Sequence, residues 1–477
     1  MGVPLVLQLA GLGVAGWPRG LLVLPAVGLL LAVAYAGSRL SHVLVAGLVA
    51  FFCIQPTLKF YVSWYFGPAK DAAVLVAVLA LAIRLLRDRT ALRRADPWVA
   101  GGALLLVGLY VVDPVGDHGA AWLTATRLTA SAFGLFLVGW LLPDPARTWR
   151  FAAGALVAVG VAQGLLGLVQ QAIGAQRLVD DFGLWLGFQV RETHGGQLRS
   201  FGTFSDPFSY AAVMAVALVA ALTLPLRRSH GAVATGVIAL GVIVSFVRTE
   251  AVLVVAVLVA AVAVRGHRAS AVLLGAAATA ASTLYLVLPA RTSSTATGLD
   301  VLLTLNGRTE LWSQVLRGPW DVLAGRGVGQ VGTGLARSQS GLWGPTVDQA
   351  GATVSPGAPS SLLYVDNAYL SLVADVGLPG LVLTCAVFAL MARTLLRAAP
   401  AAPALCGLGT LAVVAVDGLT RSSLTQFPFG YVALLVLGTA LAAATHGGDA
   451  RLSDAGCQPR GALSKPASSG TAAGASS

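Results

Sequence analysis

Charged residues that stand between long apolar runs are the first candidates for chemistry in this sequence. Arg248 lies in the short segment SFVRTE, which separates two strongly apolar stretches, and Glu250 follows two residues later. A guanidinium in such a turn has a structural explanation, pairing with Glu250 or reaching to the membrane interface. The functional explanation is that the guanidinium binds an anion. Arg248 is therefore a candidate catalytic residue and Glu250 a candidate substrate-binding residue.

A second arginine, Arg308, opens the phrase NGRTELWSQVL, in which four apolar residues recur at helical spacing. These residues are Leu311, Trp312, Val315 and Leu316. The segment predicts a helix that lies on the membrane or protein surface, with Arg308 either hydrated in its first turn or bound to an anion. Two guanidiniums that converged would bind a diphosphate bidentately, which a lysine does poorly.

Asp366 and Asn367 begin the segment DNAYLSLVADVGLPG, where a long polar stretch returns to apolar sequence. A carboxylate in this position is a candidate catalytic residue, as a general base, and Asn367 beside it is a candidate substrate-binding residue. The structural alternative is a helix N-cap, because aspartate accepts hydrogen bonds from free backbone amides at a helix start. The two roles can coexist. Asp375 follows about two turns deeper and faces either a polar cavity or a neighbouring helix.

Weaker signals come from two further arginines and from the rarity of metal ligands. Arg199, in RSFGTFSDPFSY, and Arg326, in AGRGVGQVGTG, are candidate substrate-binding residues, with simple hydration as the alternative. The glycines around Arg326 lack the strand-to-helix context of a nucleotide loop, so we interpret them as flexible or tight-turn backbone. With 6 histidines and 4 cysteines without CxxC spacing, the sequence predicts neither a metal site nor a cofactor.

These residues are embedded in a very apolar chain. Of 477 residues, 56% are hydrophobic and 11% charged, and runs such as AAVLVAVLALAI are apolar at every position. Continuous apolar runs predict helices rather than a β-barrel, which needs alternating polarity. We therefore predict an all-α, polytopic integral membrane protein with 12–14 transmembrane helices. The predicted spans lie near 4–17, 20–37, 42–65, 71–87, 97–113, 120–142, 151–174, 207–226, 232–247, 251–265, 269–289, 367–391, 402–417 and 428–445.

Arginine in the short connections predicts the orientation of these spans. The formal charge is +11, and arginines recur in every second short loop, which places those loops and both termini in the cytoplasm. Because the charge is spread over loops, no nucleic-acid partner is predicted. Residues 1–445 then form one transmembrane domain with two long outer loops, about 175–206 and 290–366, the second partly helical. Residues 446–477, rich in Gly, Ser and Ala, are predicted to be a disordered cytoplasmic tail.

Four segments together resemble the O-antigen ligase and polymerase family of bacterial polysaccharide assembly. In chain order they are RSFGTFSDPFSYAAV from Arg199, SFVRTEAVLVV from Ser245, NGRTELWSQVL with AGRGVGQVG from Asn306, and DNAYLSLVADVGLPG from Asp366. They cover about the middle 200 residues and surround a long outer loop late in the chain, as in that family.

The resemblance implies a GT-C-like membrane glycosyltransferase of the plasma (inner) membrane, working on its outer face without metal or nucleotide sugar. Its donor would be an oligosaccharide on a polyprenyl diphosphate and its acceptor another glycan. By the resemblance, Arg248 and Arg308 match arginines associated with the donor diphosphate. Asp366 stands where the ligases have histidine, which favours the polymerase or exopolysaccharide branch over a lipid A ligase. A transporter or flippase of lipid-linked oligosaccharides is the alternative, although no internal repeat is evident.

Overall fold

The computed structural model describes residues 17–59, 67–88, 96–184, 186, 189–193, 196–264, 312–313, 315–316, 318–332, 335, 365–424 and 426–456. The predicted span 269–289, almost all of the span 4–17, and the candidate Arg308 lie outside these residues. What the structure describes is mostly helical, so the all-α fold class is confirmed.

The described helices are, in chain order, α1 (Trp17–Arg39), α2 (Ser41–Thr57), α3 (Ala69–Arg87), α4 (Pro97–Val112), α5 (Ala120–Leu141), α6 (Pro145–Ile173), α7 (Ala175–Asp180), α8 (Pro207–Thr223), α9 (Arg228–Val244), α10 (Arg248–Val264), α11 (Pro319–Leu323), α12 (Ala368–Ala398), α13 (Ala402–Asp417) and α14 (Phe429–Gly456). Two short strands, β1 (Arg191–Glu192) and β2 (Leu198–Arg199), pair antiparallel between α7 and α8. Each predicted span within the described ranges coincides with one of these helices.

Three of the described helices, α5, α6 and α12, are long and apolar enough to cross a membrane. A bent pair, Gly28–Arg39 with Ser41–Thr57, would add a fourth if its two pieces form one span, although they meet at 117°. The shorter apolar helices, of 10–17 residues, are α4, α8, α9, α13 and the part of α14 from Phe429 to Thr445. These features are consistent with a membrane protein, and the number of crossings stays a prediction. α14 continues to Gly456, past the boundary at 445 that the sequence suggested.

Helix α14 lies at the centre of the described bundle. Its residues from Phe429 to Ala444 are buried on every side, as a helix that is apolar all round should be. α14 crosses α5 at a pair of glycines. A Cβ atom on Gly139 would collide with the carbonyl oxygen of Leu435, and one on Gly438 with that of Phe136. The missing side chains let the two backbones touch, which increases van der Waals contact between the helices.

The connections gather at two ends of the bundle. We call one the loop end; it carries the described residues of 113–119, 174–206, 245–247, 318–332, 365–367 and 418–428. The Ser200 amide donates to the Val244 carbonyl over 3.0 Å there, and the Ala368 amide donates to the Gly418 carbonyl over 2.8 Å. At the opposite end the Ser41 hydroxyl donates to the Pro143 carbonyl over 3.0 Å. The candidate residues that are described all lie at or near the loop end.

The glycine crossing can be tested by adding one methyl group. Gly438→Ala places a side chain against the Phe136 carbonyl, and such overpacking typically costs about 1–3 kcal/mol. We expect a lower melting temperature for the detergent-purified variant. Gly154→Ala on α6 is the matched control, because its Cβ would meet nothing within 4 Å and alanine favours helix more than glycine does. Equal melting temperatures for the two variants would contradict this packing.

Candidate functional site

A buried arginine, Arg421, occupies the centre of the loop end. It lies in the connection between α13 and α14, and the residue is only 5% exposed. Its guanidinium donates to the Gln426 side-chain oxygen over 2.8 Å and, more weakly, to the Ser209 hydroxyl over 3.4 Å. It also forms an ion pair of 3.6 Å with Asp417, four residues earlier at the end of α13. Arg421 therefore joins α13, its own loop and the start of α8.

Three guanidinium groups surround the ring of Phe208, in the first turn of α8. The central carbons of Arg199, Arg191 and Arg421 lie 5.3, 5.6 and 5.7 Å from the ring centroid. Arg191 and Arg199 are brought together because they are direct partners across the β1–β2 hairpin. Arg199 also donates to the Phe246 carbonyl over 3.1 Å, just before α10. The aromatic face attracts each cation and keeps them grouped.

Carboxylates balance this positive charge. Glu250 and Asp417 are completely buried, and the two carboxyl groups lie close enough to share a hydrogen bond. Burial lowers the pKa of Arg421, but the carboxylates around it outweigh this and raise the pKa above its ordinary value. These carboxylates belong to Asp417, Asp206, Glu250 and Asp366. Removing one partner of such a buried pair typically costs about 3–5 kcal/mol, because the other charge is left without compensation.

The start of α12 is held by Asn367 and not by Asp366. The Asn367 side-chain oxygen accepts from the Leu370 amide over 2.9 Å, which makes it the N-cap. Its nitrogen donates to the Leu419 carbonyl over 3.0 Å, so both ends of this predicted substrate-binding side chain hold protein groups. Asp366 precedes the cap and is exposed. Its carboxylate is thus placed at the surface of the cluster, near enough to Arg421 to affect it electrostatically.

Arg248 begins α10 beside the same connection. It is partly buried, and the hydroxyl of the next residue, Thr249, lies 3.4 Å from that of Thr420. Thr420 belongs to the segment 418–422, which also contacts the start of α12. The structure therefore brings together five of the residues predicted from sequence, namely Arg199, Arg248, Glu250, Asp366 and Asn367. It does not describe Arg308.

Arg326 lies in a different group of contacts, where the glycine-rich segment 325–332 packs on α12. Its guanidinium donates to the Val315 carbonyl over 2.9 Å and its amide to the Ala374 carbonyl over 2.6 Å. Gly325, Gly327, Gly329 and Gly332 all have positive φ angles, so the tight-turn interpretation of these glycines holds. The segment fits against a break in α12 at Gly377, where a side chain would collide with the Leu323 carbonyl.

Two buried aspartates hold this glycine-rich segment. Asp375 accepts from the Gly329 amide over 3.0 Å and from the Tyr110 hydroxyl over 3.1 Å. Asp113, at the end of α4, accepts from the Val328 amide over 3.0 Å. A cavity of about 20 Å³ separates Asp375 from Ser422, which is room for one water-sized molecule. Asp375 is therefore committed to backbone contacts with the segment.

Sequence reasoning missed the central roles of Arg421, Phe208 and Asp417. A signal was present, since Asp417 and Arg421 are four residues apart at the end of an apolar run, which is the spacing of an ion pair on one helical face. Phe208 carries no sequence signal, because an aromatic residue at a helix start is unremarkable without knowledge of its neighbours.

Comparison with known proteins gives no further guide: no family model and no curated protein matches this chain. Within the described ranges, no three His, Cys, Asp or Glu side chains are grouped so that they could hold a metal ion. The chemistry available is that of guanidiniums, carboxylates and hydroxyls at the end of an apolar bundle. Such a set can bind an anion through arginine and accept a proton on a carboxylate.

The glycine-rich segment offers a test of how the loop end is built. Gly329 has φ +78°, and a Cβ there would collide with the Ala121 carbonyl. Gly329→Ala should therefore loosen residues 318–332, with backbone strain of about 1–3 kcal/mol in addition to the collision. We expect faster limited proteolysis of the purified variant in this segment. Gly318→Ala is the control, because its φ of −152° suits any residue and its Cβ would meet nothing; equal cleavage rates would contradict the arrangement.

Proposed function

We propose that this protein is a membrane-embedded glycosyltransferase that transfers or polymerises glycan units from a polyprenyl-diphosphate donor. The observation that carries the proposal is the meeting of Arg199, Arg248 and Asp366 around the segment 418–422. These residues come from three of the four family-like segments and are far apart in sequence. Their convergence supports the interpretation that the segments build one site.

The proposal includes the membrane topology. In it the chain crosses the plasma (inner) membrane 12–14 times in a GT-C-like arrangement, both termini are cytoplasmic, and the loop end faces outward. The gathering of the predicted outer connections at one end supports this, because a polyprenyl diphosphate donor presents its headgroup at the membrane surface. The polyprenyl chain of the donor would lie in the membrane, along the outer surface of the helices. Metal and nucleotide sugar have no part in the proposal.

The arginines would bind the donor diphosphate. Arg248 is the first residue of α10, and the N-terminus of a helix carries the positive end of its dipole, which also favours an anion. Arg308 is assigned here by the family resemblance. Each positioned donor to a developing oxyanion is typically worth about 3 kcal/mol, so two arginines would stabilise the departing diphosphate strongly. Arg191 and Arg199, grouped on Phe208, supply further positive charge beside this site.

Asp366 would act on the acceptor. The acceptor hydroxyl oxygen bonds to the anomeric carbon of the donor sugar while the bond from that carbon to the diphosphate oxygen breaks. The proton of the hydroxyl goes to the Asp366 carboxylate, and the polyprenyl diphosphate leaves with the bonding electrons. Attack from the face opposite the leaving group inverts the anomeric carbon. An exposed carboxylate at the cluster surface suits an incoming glycan, and we favour a lipid-linked repeat unit as the acceptor.

Single alanine variants of Arg248, Arg308 and Asp366 test the proposal. In cells that lack the native gene, each should abolish long-chain glycan on a gel ladder while protein remains in the membrane. Asp366→His should keep part of the activity, because imidazole also accepts a proton and histidine stands there in the resembled ligases. Asp366→Asn should not, because a neutral amide is not a base.

The matched control is Arg228→Ala, which removes an exposed arginine at the opposite end of the bundle and should leave the ladder normal. Normal ladders in all three alanine variants would refute the transferase. Purified protein that moves labelled lipid-linked glycan across vesicles without forming glycosidic bonds would instead support the transporter alternative.

A further inference from the structure

Arg421 lies outside all four family-like segments, yet the polar cluster is arranged around it. Its guanidinium is acted on by carboxylates from four separate places. These are Asp206 before α8, Glu250 on α10, Asp366 before α12 and Asp417 at the end of α13. Ser209 links two of these groups, because its hydroxyl contacts Arg421 at 3.4 Å and donates to Asp206 over 2.9 Å.

The segment 418–422, which contains Arg421, connects the two helix starts that carry Asp366 and Arg248. Toward α12 it accepts hydrogen bonds at the Gly418 and Leu419 carbonyls, and the Ser422 hydroxyl donates to the Val365 carbonyl over 2.6 Å. Toward α10, the Thr420 hydroxyl lies 3.4 Å from that of Thr249. The position of Asp366 relative to Arg248 therefore depends on the conformation of this segment.

Arg421 holds that conformation from within. Its guanidinium contacts Asp417 before the segment, at 3.6 Å, and Gln426 after it, at 2.8 Å. The side chain therefore bridges the two ends of the connection between α13 and α14. Without the positive charge, the buried carboxylates of Asp417 and Glu250 would be left together in a region of low dielectric. A buried charge left without a compensating cation is costly, and the segment would move to hydrate it.

We propose that Arg421 is a positioning residue for the transfer reaction: it holds the segment 418–422, and through it the relative positions of the two helix starts that carry Asp366 and Arg248. The inference rests on the proposed function, since it assigns Arg421 a role in that reaction. Arg421 does not itself act on the sugar. Its influence on Asp366 is both geometric, through the segment, and electrostatic, through its charge.

The experiment compares Arg421→Gln and Arg421→Lys with wild-type full-length protein, using kcat, KM and the pH profile of transfer from a lipid-linked donor. Arg421→Gln should lower kcat about 100-fold with little change in KM, because a displaced catalytic group costs about this much. The acid limb of its profile should lie at higher pH, since loss of a nearby positive charge favours protonated Asp366. Arg421→Lys keeps the charge and should restore the acid limb and part of kcat.

A second variant should shift the acid limb in the opposite direction. Asp417→Asn removes a negative charge from the same cluster and should move the acid limb to lower pH. The other charged groups of the cluster are Asp206, Glu250, Asp366, Arg191, Arg199, Arg248 and Arg421. The matched control is Arg127→Gln, which breaks the 3.4 Å ion pair between Arg127 and Asp71 elsewhere in the bundle. It should lower stability without moving the acid limb.

A folded Arg421→Gln variant with wild-type kcat and pH profile would overturn the inference. A loss of rate with an unmoved acid limb would also overturn it, because a merely structural arginine would give that result. If the glutamine variant does not accumulate, Asp417→Asn decides: an acid limb that stays at its wild-type position, or that moves to higher pH, would overturn the inference. Asp366→Ala is assayed alongside. Wild-type transfer in that variant would refute the proposed function itself, whatever the Arg421 variants show.

Discussion

A guanidinium that leaves water for the end of an apolar helix bundle must find compensating charge there, and Arg421 finds it on several helices at once. Its partners sit at the ends of α8, α10, α12 and α13, so satisfying one buried charge fixes where four helices end relative to one another. The buried acidic side chains of Glu250 and Asp417 need compensation as well, and Arg421 supplies it. The loop end owes its geometry to this mutual compensation.

Backbone contacts carry the second structural constraint. Where α5 crosses α14, and where the glycine-rich segment meets the break in α12, side chains are absent and backbones touch. Buried aspartates then accept from the free amides of the segment, as Asp375 does from Gly329. Carboxylates at these positions satisfy amides that neither water nor lipid would reach. A long connection is thereby held against the bundle by a small number of hydrogen bonds.

These two groups of contacts have different consequences for the proposed reaction. The Arg421 cluster lies beside the groups that would act on substrate, so changes there should alter rates and pH dependence. The glycine-rich segment, with Arg326, is occupied by contacts within the protein, and changes there should alter stability and exposure of the segment first. The small cavity between Asp375 and Ser422 lies where the two groups approach each other. At the loop end, the glycine-rich segment is thus occupied by contacts within the protein, and the Arg421 cluster lies where a ligand would bind in the proposed reaction.

The sequence by itself determined the helices, since a chain that is apolar at nearly every position over spans of this length has no other way to satisfy its backbone in an apolar solvent. It also determined that Arg199, Arg248, Glu250 and Asp366 needed explanation, because isolated charges beside apolar runs are costly. Only the tertiary structure decided which charges meet. Asn367, and not Asp366, is the N-cap of α12, and Arg421 is central because its partners lie on helices distant in the chain. Local pattern records the preference of each residue, whereas compensation of a buried charge depends on neighbours that only folding brings together.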